Sequence, residues 1–445
     1  MSKVPIPFSE PPWLMGHPSP YYTDSHKKWQ KTCRAMFDEL MADAGEWERQ
    51  GDVPESLYSQ FAAANMLIPN LSSPLPVQWL HKLGIRTLPG GLPVEEFDSI
   101  HTLIYADELA RSGSLGPGGA ITTGMAFGVP PILKFGSKSL QERFLPDLLT
   151  GKKRICIAIT EPSAGSDVGN IQTTATRSKD GKHFIVNGTK KWITNGLWSD
   201  YASMAVRTGG PGPAGLSMLV VPLLHTKGVN MRRIKVQGQT AAGTTFIELD
   251  DVLVPVENLI GKEGMGMKYV MLNFNHERLS ISIGVNRLSR VAISAAFEYC
   301  LKREAFGKPL MDQAVVRHRL AKCGAELESH WAWIEQFTYS LTKMSEEEAN
   351  RELGGLTALL KAQAGRVIES CASTAVLLFG GNGYSKSGQG EVVERIYREV
   401  PGARIPGGSE DVMLDVAIRQ LVKNFQRKTK ELETAVEPPS GSSKL

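Results

Sequence analysis

The chain has 445 residues, a length that predicts about three domain-sized units. Hydrophobic residues make up 42% and charged residues 22%, which excludes wholesale disorder and fibrous repeats. The net charge of +4 is too small to indicate a nucleic-acid-binding protein. Five widely separated cysteines, with no CxxC pair and no His spacing typical of zinc, indicate a reducing compartment and predict no metal site.

The two ends of the chain bear on its location. The N-terminus is rich in proline and lacks the apolar stretch of a signal peptide. The sequence has no uninterrupted apolar run of about 18 residues, so it predicts no membrane span. The last three residues, Ser443, Lys444 and Leu445, match the peroxisomal address SKL and follow a spacer of Pro, Ser and Gly. We therefore expect a peroxisomal protein that the peroxisomal import receptor binds.

The hydrophobic period changes twice along the chain. Residues 24–70 and 96–150 have helical spacing, apolar and polar residues alternate from about Arg154, and the helical spacing returns after Gly266. The pattern predicts an α+β fold with four parts: a helical domain (1–152), an antiparallel β-domain (153–262), a four-helix bundle (263–430) and a flexible tail (431–445).

Two polar segments of the β-domain suit a planar ligand that carries phosphates. In ITEPSAGSDVG (159–169), hydroxyl groups and the Gly165 amide can bond a heterocycle and its phosphates, although a plain polar turn is the alternative. In the strand KWITN (191–195), Trp192 and Thr194 share one face and could cover a ring and bond its edge, although a core Trp is more usual. GxxxxGK[ST], HExxH and strand-linked GxGxxG motifs are missing, so a dinucleotide here would not use a Rossmann fold.

Together these segments resemble the acyl-CoA dehydrogenase family, whose motifs TEPxAGSD and WITN they match. The resemblance continues in FLPDLLTGK (144–152), in REAFGK (303–308), which is similar to the RxxFG turn, and in FGGNGY (379–384), which is similar to the GGxGY turn. It covers residues 30–430. It implies a helical domain, a middle β-barrel domain and a helical bundle, with FAD as cofactor, an acyl-CoA substrate and a homodimer or homotetramer.

The resemblance also implies the cofactor site. Thr160 would bond the pyrimidine side of the flavin, Thr194 its N5 edge, and Trp192 would lie against the ring. Further contacts are implied for Ile157, Ile159, Gly165, Ser166, Ile193, Gly380, Gly381, Ser409 and Asp411, although Asp411 could equally cap the last helix. Arg303, Phe306 and Gln313 would reach the FAD of a neighbouring subunit. Leu377 stands where the family usually has Gln, and its side chain cannot hydrogen-bond the cofactor.

The catalytic base is not at the position usual for the family. Members of the family remove the proton α to the thioester with a carboxylate, usually in a YEGT loop that corresponds here to IPGGS (405–409), with Gly407 at the glutamate position. That departure alone would indicate an inactive protein. However, Glu277 shares the inward face of a predicted helix with Phe274 and Arg278, and a carboxylate aimed at an apolar interior is costly unless it is used or paired.

The run from Phe274 to Leu279 is similar to the LxxERL arrangement of isovaleryl-CoA and long-chain acyl-CoA dehydrogenases, where a helical glutamate replaces the loop base. We therefore predict that Glu277 is the base. The resemblance implies that the substrate is bound by Ser166, Phe274, Asn275, Arg278, Gly407 and Gly408. Asn275 stands where the family often has Asp, near the CoA moiety, and we expect His276 to face solvent.

The expected activity is FAD-dependent α,β-dehydrogenation of an acyl-CoA to the trans-2-enoyl-CoA. One alternative is a peroxisomal oxidase on the same scaffold that passes electrons to oxygen. Another is a non-enzymatic acyl-CoA- or FAD-binding scaffold, which Gly407 and Leu377 favour and Glu277 disfavours. The Gly, Ala and Thr content of residues 116–131 could leave room for a long or branched acyl chain.

Overall fold

The computed structural model describes residues 4–436, apart from the side chains of residues 273, 274, 435 and 436. The SKL sequence and the side chain of Phe274 therefore lie outside the described part. The first domain is helical, and its core residues recur one turn apart, as Trp29, Cys33 and Phe37 do on the first helix. Its elements are α1 (Asp24–Leu40), α2 (Ala44–Gln50), α3 (Glu55–Ala63), α4 (Val77–Lys82), β1 (Thr87–Leu88), β2 (Leu92–Pro93), α5 (Ser99–Ala110), α6 (Gly116–Thr123), α7 (Pro130–Phe135) and α8 (Lys138–Leu149).

The middle domain is a twisted sheet that surrounds one apolar core. Its strands are β3 (Ile155–Ala158), β4 (Thr174–Arg177), β5 (His183–Ile193), β6 (Tyr201–Arg207), β7 (Leu216–Pro222), β8 (Val229–Arg233), β9 (Thr245–Pro255) and β10 (Leu259–Ile260). They pair along a path that begins at β10 and ends at β8, so the expected barrel is an open one. The core includes Phe184, Met204, Leu219 and Ile247.

The prediction of an antiparallel domain is wrong at β6, which pairs in parallel with both β3 and β4. β3 runs parallel to β6, with Ile155 opposite Tyr201 and Ala158 opposite Met204. A parallel pair needs a long crossover, and the segment between these strands, which contains β4 and β5, provides it. The loop that follows β3 is therefore carried to the same edge of the sheet as the end of β5.

The last domain has one helix more than predicted. It contains α9 (Gly266–Lys302), a hairpin of β11 (Glu304–Ala305) and β12 (Lys308–Pro309), α10 (Ala314–Leu341), α11 (Glu346–Phe379), α12 (Glu391–Arg404) and α13 (Glu410–Val436). The prediction missed α12, which contains Pro401 and Gly402, residues that usually end a helical pattern. α13 extends past residue 430, so the predicted tail begins inside a helix.

A pair of buried carboxyl groups lies where the three domains meet. Glu399 of α12 accepts hydrogen bonds from the Ser114 hydroxyl (2.9 Å) and the Leu115 amide (3.0 Å), just before α6. Glu48 of α2 accepts from the Thr240 hydroxyl (2.9 Å) in the β-domain. Burial, together with the charge of Glu48, raises the pKa of Glu399 to about 8. The pair thus fixes the start of α6 relative to the other two domains.

No helix within residues 4–436 is long and apolar enough to cross a bilayer. The five cysteines are buried free thiols.

Candidate active site

The loop after β3 and the end of β5 form one polar edge of the β-domain. The Lys191 amide donates to the Thr160 carbonyl at 2.9 Å. The buried Lys190 ammonium donates to the Ile159 carbonyl (3.0 Å) and pairs with Glu161 at 2.8 Å. Burial lowers the pKa of Lys190 to about 8, and Lys190 in turn lowers the pKa of Glu161 against the effect of burial. This ion pair holds the two predicted ligand-binding segments together.

Trp192 and Thr194 lie at the end of β5, on either side of Ile193 in the sequence. Trp192 is 50% exposed, Ile193 is buried in the β-domain core, and Thr194 is half-buried. The pairing of β5 with β9 shifts between Lys190 and Ile193, and Trp192 has a φ of 66°. This irregularity turns the indole outward. The side chain of Ile193 is buried in the core, so only the backbone of Ile193 can contact a ligand.

A cavity of about 140 Å³ lies between α5, α6 and α9. Small and polar side chains make up much of its wall, including Asn70, Thr102, Ser114, Gly118, Gly119, Thr122, Thr123, Ser280 and Gly284, together with Tyr105 and Phe127. A Cβ built on Gly119 would lie 3.7 Å from the Thr194 methyl carbon. The cavity wall therefore touches the polar edge of the β-domain.

Glu277 lies on the face of α9 that carries two of the cavity's lining residues, Ser280 and Gly284, and is not itself one of them. It precedes Ser280 by three residues and Gly284 by seven, so the three residues share one face of the helix. Glu277 is half-buried, and burial of its carboxyl group raises the pKa to about 7, although the positive charges of Arg278 and Lys361 act to lower it. A carboxylate with this pKa is suited to accept a proton at neutral pH.

The loop of residues 405–409 lies against α9 at Arg278 and Ile281. Arg278 donates from Nε to the Gly407 carbonyl (3.2 Å), and Lys361 of α11 donates from Nζ to the Gly408 carbonyl (2.6 Å). Gly407 has a φ of 70°, and a Cβ there would lie 2.9 Å from Cδ1 of Ile281. A side chain at position 407 would therefore be both strained and crowded.

The residues predicted beside the base have different surroundings. The Asn275 amide donates to Oδ1 of Asn350 on α11 at 2.9 Å. His276 is half-buried, with its Nε2 3.3 Å from the Asn70 carbonyl, and burial lowers its pKa to about 4. The expectation that His276 faces solvent is wrong, because α9 packs at this point on the segment that contains Asn70.

The same three-part organisation occurs in known proteins. Profiles of the N-terminal, middle and C-terminal domains of acyl-CoA dehydrogenase match residues 80–152, 156–252 and 264–422. Acyl-CoA dehydrogenase apdG of Emericella nidulans is 65% identical over 431 residues, which are 97% of this chain and 98% of that protein. This chain belongs to the acyl-CoA dehydrogenase family. Acyl-CoA dehydrogenase AFT10-1 of Alternaria alternata is 36% identical, over 95% of this chain and 97% of that protein.

The family assignment and the predicted fold class are thereby confirmed. The crystal structure of acyl-CoA dehydrogenase from Geobacillus kaustophilus superposes with a TM-score of 0.79 at 28% identity, covering 91% of this chain and 100% of that one. An acyl-CoA dehydrogenase uses FAD, and the residues at the polar edge of the β-domain are suited to bind this cofactor. Gly165 and Ser166 are exposed beside the half-buried Thr160, and a Cβ on Gly165 would meet no atom within 4 Å. Ile157 and Ile159 lie below them, half-buried against the helical domain.

The acyl-CoA dehydrogenase residues expected to serve a neighbouring subunit lie far from Glu277. Arg303 follows Glu277 by 26 residues at the end of the continuous helix α9, which at 1.5 Å per residue is a separation of about 39 Å. Phe306 is 94% exposed at the hairpin turn. Tyr299 stacks on Phe379 with ring centroids 4.2 Å apart, which brings the turn after α11 to the same end of the bundle. Gln313, Leu377, Gly380 and Gly381 belong to these segments.

Ser409 and Asp411 lie where the 405–409 loop enters α13. The Ser409 carbonyl accepts from the Met413 amide at 2.9 Å. Asp411 is exposed in the first turn of α13, which begins one residue earlier at Glu410, so Asp411 does not occupy the cap position.

A cluster formed by His26, Asp98 and His101 was not predicted. Nε2 of His26 lies 3.1 Å from the Asp98 carboxylate, and Nδ1 of His101 lies 2.8 Å from it. Their polar atoms lie close enough together to hold a metal ion. They also form the capping boxes at the starts of α1 and α5, and this capping accounts for their arrangement. More than 70 residues separate His26 from Asp98, and local patterns do not detect such pairs.

Proposed function

We propose that this protein oxidises an acyl-CoA thioester to the trans-2-enoyl-CoA with Glu277 as the base. The observation that carries the proposal is the helical register of Glu277, which shares a face of α9 with the cavity-lining residues Ser280 and Gly284. Its neighbour Arg278 binds the loop that has Gly407 where the family usually carries a carboxylate. A half-buried carboxyl with a pKa near 7 is costly to keep and suits proton abstraction. A non-enzymatic scaffold would not need it.

The residues divide the reaction between them. The Glu277 carboxylate takes the proton from the α-carbon, and the Gly407 amide would bond the thioester carbonyl. Arg278 and Lys361 hold the carbonyls of Gly407 and Gly408, which keeps this loop from moving away from Glu277. Thr160, Trp192 and Thr194 would hold FAD, which when bound supplies the acceptor for the hydride that leaves the β-carbon.

The cavity favours a short or medium acyl chain over a long one. Its volume of about 140 Å³ is below the roughly 300–1,000 Å³ of most ligand sites. The Gly116–Pro131 region does line it, through Gly118, Gly119 and Phe127, but without the room that a long chain needs. We propose that the acyl chain of the substrate is short or medium in length.

A flavin titration tests these points. The purified protein should be yellow, and acyl-CoAs of increasing length, added without oxygen, should bleach the flavin, with short and medium chains bleaching it fastest. Rapid recolouring in air would favour the oxidase alternative. Binding of acyl-CoA without any bleaching would favour the scaffold and refute the proposal.

We propose that the protein assembles as a homodimer or homotetramer and completes each FAD site across a subunit contact. Phe306, Leu377 and Tyr384 are large apolar residues that are 94%, 61% and 88% exposed at the end of the bundle that carries Arg303, and a second subunit would cover them. Arg303→Ala should lower the flavin content without unfolding the chain. A monomer that retains FAD, measured by light scattering and absorbance, would contradict the proposal.

We propose a peroxisomal location, supported by the terminal Ser443, Lys444 and Leu445. Deletion of Leu445 should move a fluorescent fusion, tagged at its N-terminus, from peroxisomes to the cytosol. As a control, residues 437–445 alone should direct a fluorescent protein to peroxisomes. Unchanged import of the truncated chain would refute the proposal.

A further inference from the structure

Lys361 is a buried ammonium within the helical bundle. It lies on α11 and is 1% exposed, and a buried charge is stable only when its donors are used. Its Nζ donates to the carbonyl of Arg404, at the end of α12, and to the carbonyl of Gly408 at 2.6 Å. The cation therefore binds both ends of the loop that follows α12.

A second cation holds the middle of the same loop. Arg278 on α9 donates to the Gly407 carbonyl at 3.2 Å. A Cβ built on Gly407 would lie 3.8 Å from Cε of Lys361 and 3.9 Å from Cγ of Arg278. The stem of Lys361 thus runs beneath Gly407, so the lysine is adjacent to the place where the thioester is expected.

Charged groups from three other helices face Lys361. They are Glu277 and Arg278 on α9, Arg404 at the end of α12, and Glu410 at the start of α13. Glu410 is already paired with Arg404 at 2.6 Å. The charged groups that act on Glu277 are Arg278 and Lys361, and both are positive. Both oppose the rise in the pKa of Glu277 that burial causes.

We propose that Lys361 is a positioning residue for catalysis, which keeps the Gly407 loop beside Glu277 and supplies positive charge that favours the ionised form of that base. The inference rests on the proposed function, because it assigns Lys361 a role only if Glu277 abstracts the proton. A merely structural lysine would stabilise the bundle without changing how the reaction depends on pH.

The test compares Lys361→Met and Lys361→Gln with Lys361→Arg. Flavin bleaching in a single turnover is measured across the pH range in which Glu277 titrates. Both neutral variants should move the acid limb of the rate to higher pH. A limb that moves by one pH unit lowers the rate at low pH by about tenfold, and the rate recovers at higher pH. Lys361→Arg should keep the limb close to its wild-type position.

Lys361→Gln retains a donor for one loop carbonyl, and it carries the test should Lys361→Met not fold. An acid limb that does not move in a folded neutral variant overturns the inference, even if that variant is less stable or binds acyl-CoA more weakly. Glu277→Gln separates this failure from that of the proposed function. Suppose that the acid limb does not move in the Lys361 variants. If the flavin of the wild-type protein then bleaches and that of Glu277→Gln does not, only the role of Lys361 is refuted. If the flavin of Glu277→Gln bleaches normally, both proposals are refuted.

Discussion

Replacing Glu277 by Gln is the sharpest perturbation that the structure offers. The substitution preserves the size of the side chain and removes its ability to accept a proton. Loss of a general base costs about 10²–10⁴-fold in rate, which is a rise in the barrier of about 2.7–5.4 kcal/mol. No carboxylate replaces it on the neighbouring loop, because position 407 is glycine and the next acidic residue, Glu410, is paired with Arg404.

The assay is anaerobic stopped-flow bleaching of the flavin by a saturating acyl-CoA. Because burial raises the pKa of Glu277 to about 7, the wild-type rate should rise with pH through that value, and Glu277→Gln should lose this limb. Glu277→Asp is the matched control, since it keeps a carboxylate but places it one methylene further away. Its rate should fall between the other two, and acyl-CoA should still bind to all three proteins.

A rate for Glu277→Gln within a few-fold of wild type, with the pH limb intact, would show that Glu277 is not the base. The base would then have to be another carboxylate, with Glu410 and Asp411 as the nearest along the loop. A slow rate that still rises through the same pH would also contradict the assignment, because the titrating group would not be Glu277.

Three other variants probe the cofactor edge, the domain junction and the loop. Trp192→Ala should lower the ratio of flavin to protein absorbance and leave the helical circular dichroism unchanged, because the indole is 50% exposed and lies in the β-domain. The pKa of Glu399 is about 8, above its ordinary 4.5, so the folded state keeps a proton that the unfolded state releases, and thermal melts should show stability falling as pH rises between these values; Glu399→Gln should flatten that slope. Gly407→Glu should lower the free energy of unfolding in urea by about 1–3 kcal/mol, because position 407 has a positive φ. Introduced together with Glu277→Gln, it should recover part of the bleaching rate that Glu277→Gln loses.

Local patterns in the sequence predicted the parts of the site that depend on neighbouring residues. The helical spacing that places Glu277 with Ser280 and Gly284 depends only on helix geometry, whereas the irregularity of β5 at Trp192 breaks simple strand alternation. The contacts that hold the site together were not predictable in this way. Lys190 meets Glu161 across 29 residues, and Lys361 meets Gly408 across 47. Such pairs are determined by how segments distant in sequence pack within each domain.

Long-range packing also explains the errors. His276 was expected in solvent because nothing near it in sequence shows that the segment containing Asn70 covers it. The parallel pairing of β3 with β6 could not be read from two short strands whose own alternation fits either direction. α12 was missed because Pro401 and Gly402 obscure a helix that is held by its buried face.

The length of α9 has a consequence for mixed assemblies. In the proposed oligomer, this one rigid helix carries the base of its own site at one end and, at the other, a contact to the FAD of the neighbouring subunit. If Glu277→Gln and Arg303→Ala subunits are combined, both defects fall in the same site of each hybrid dimer, and the other site receives an intact base and an intact arginine. Two impaired preparations should therefore gain activity when they exchange subunits. The gain would measure how many sites are assembled from two chains.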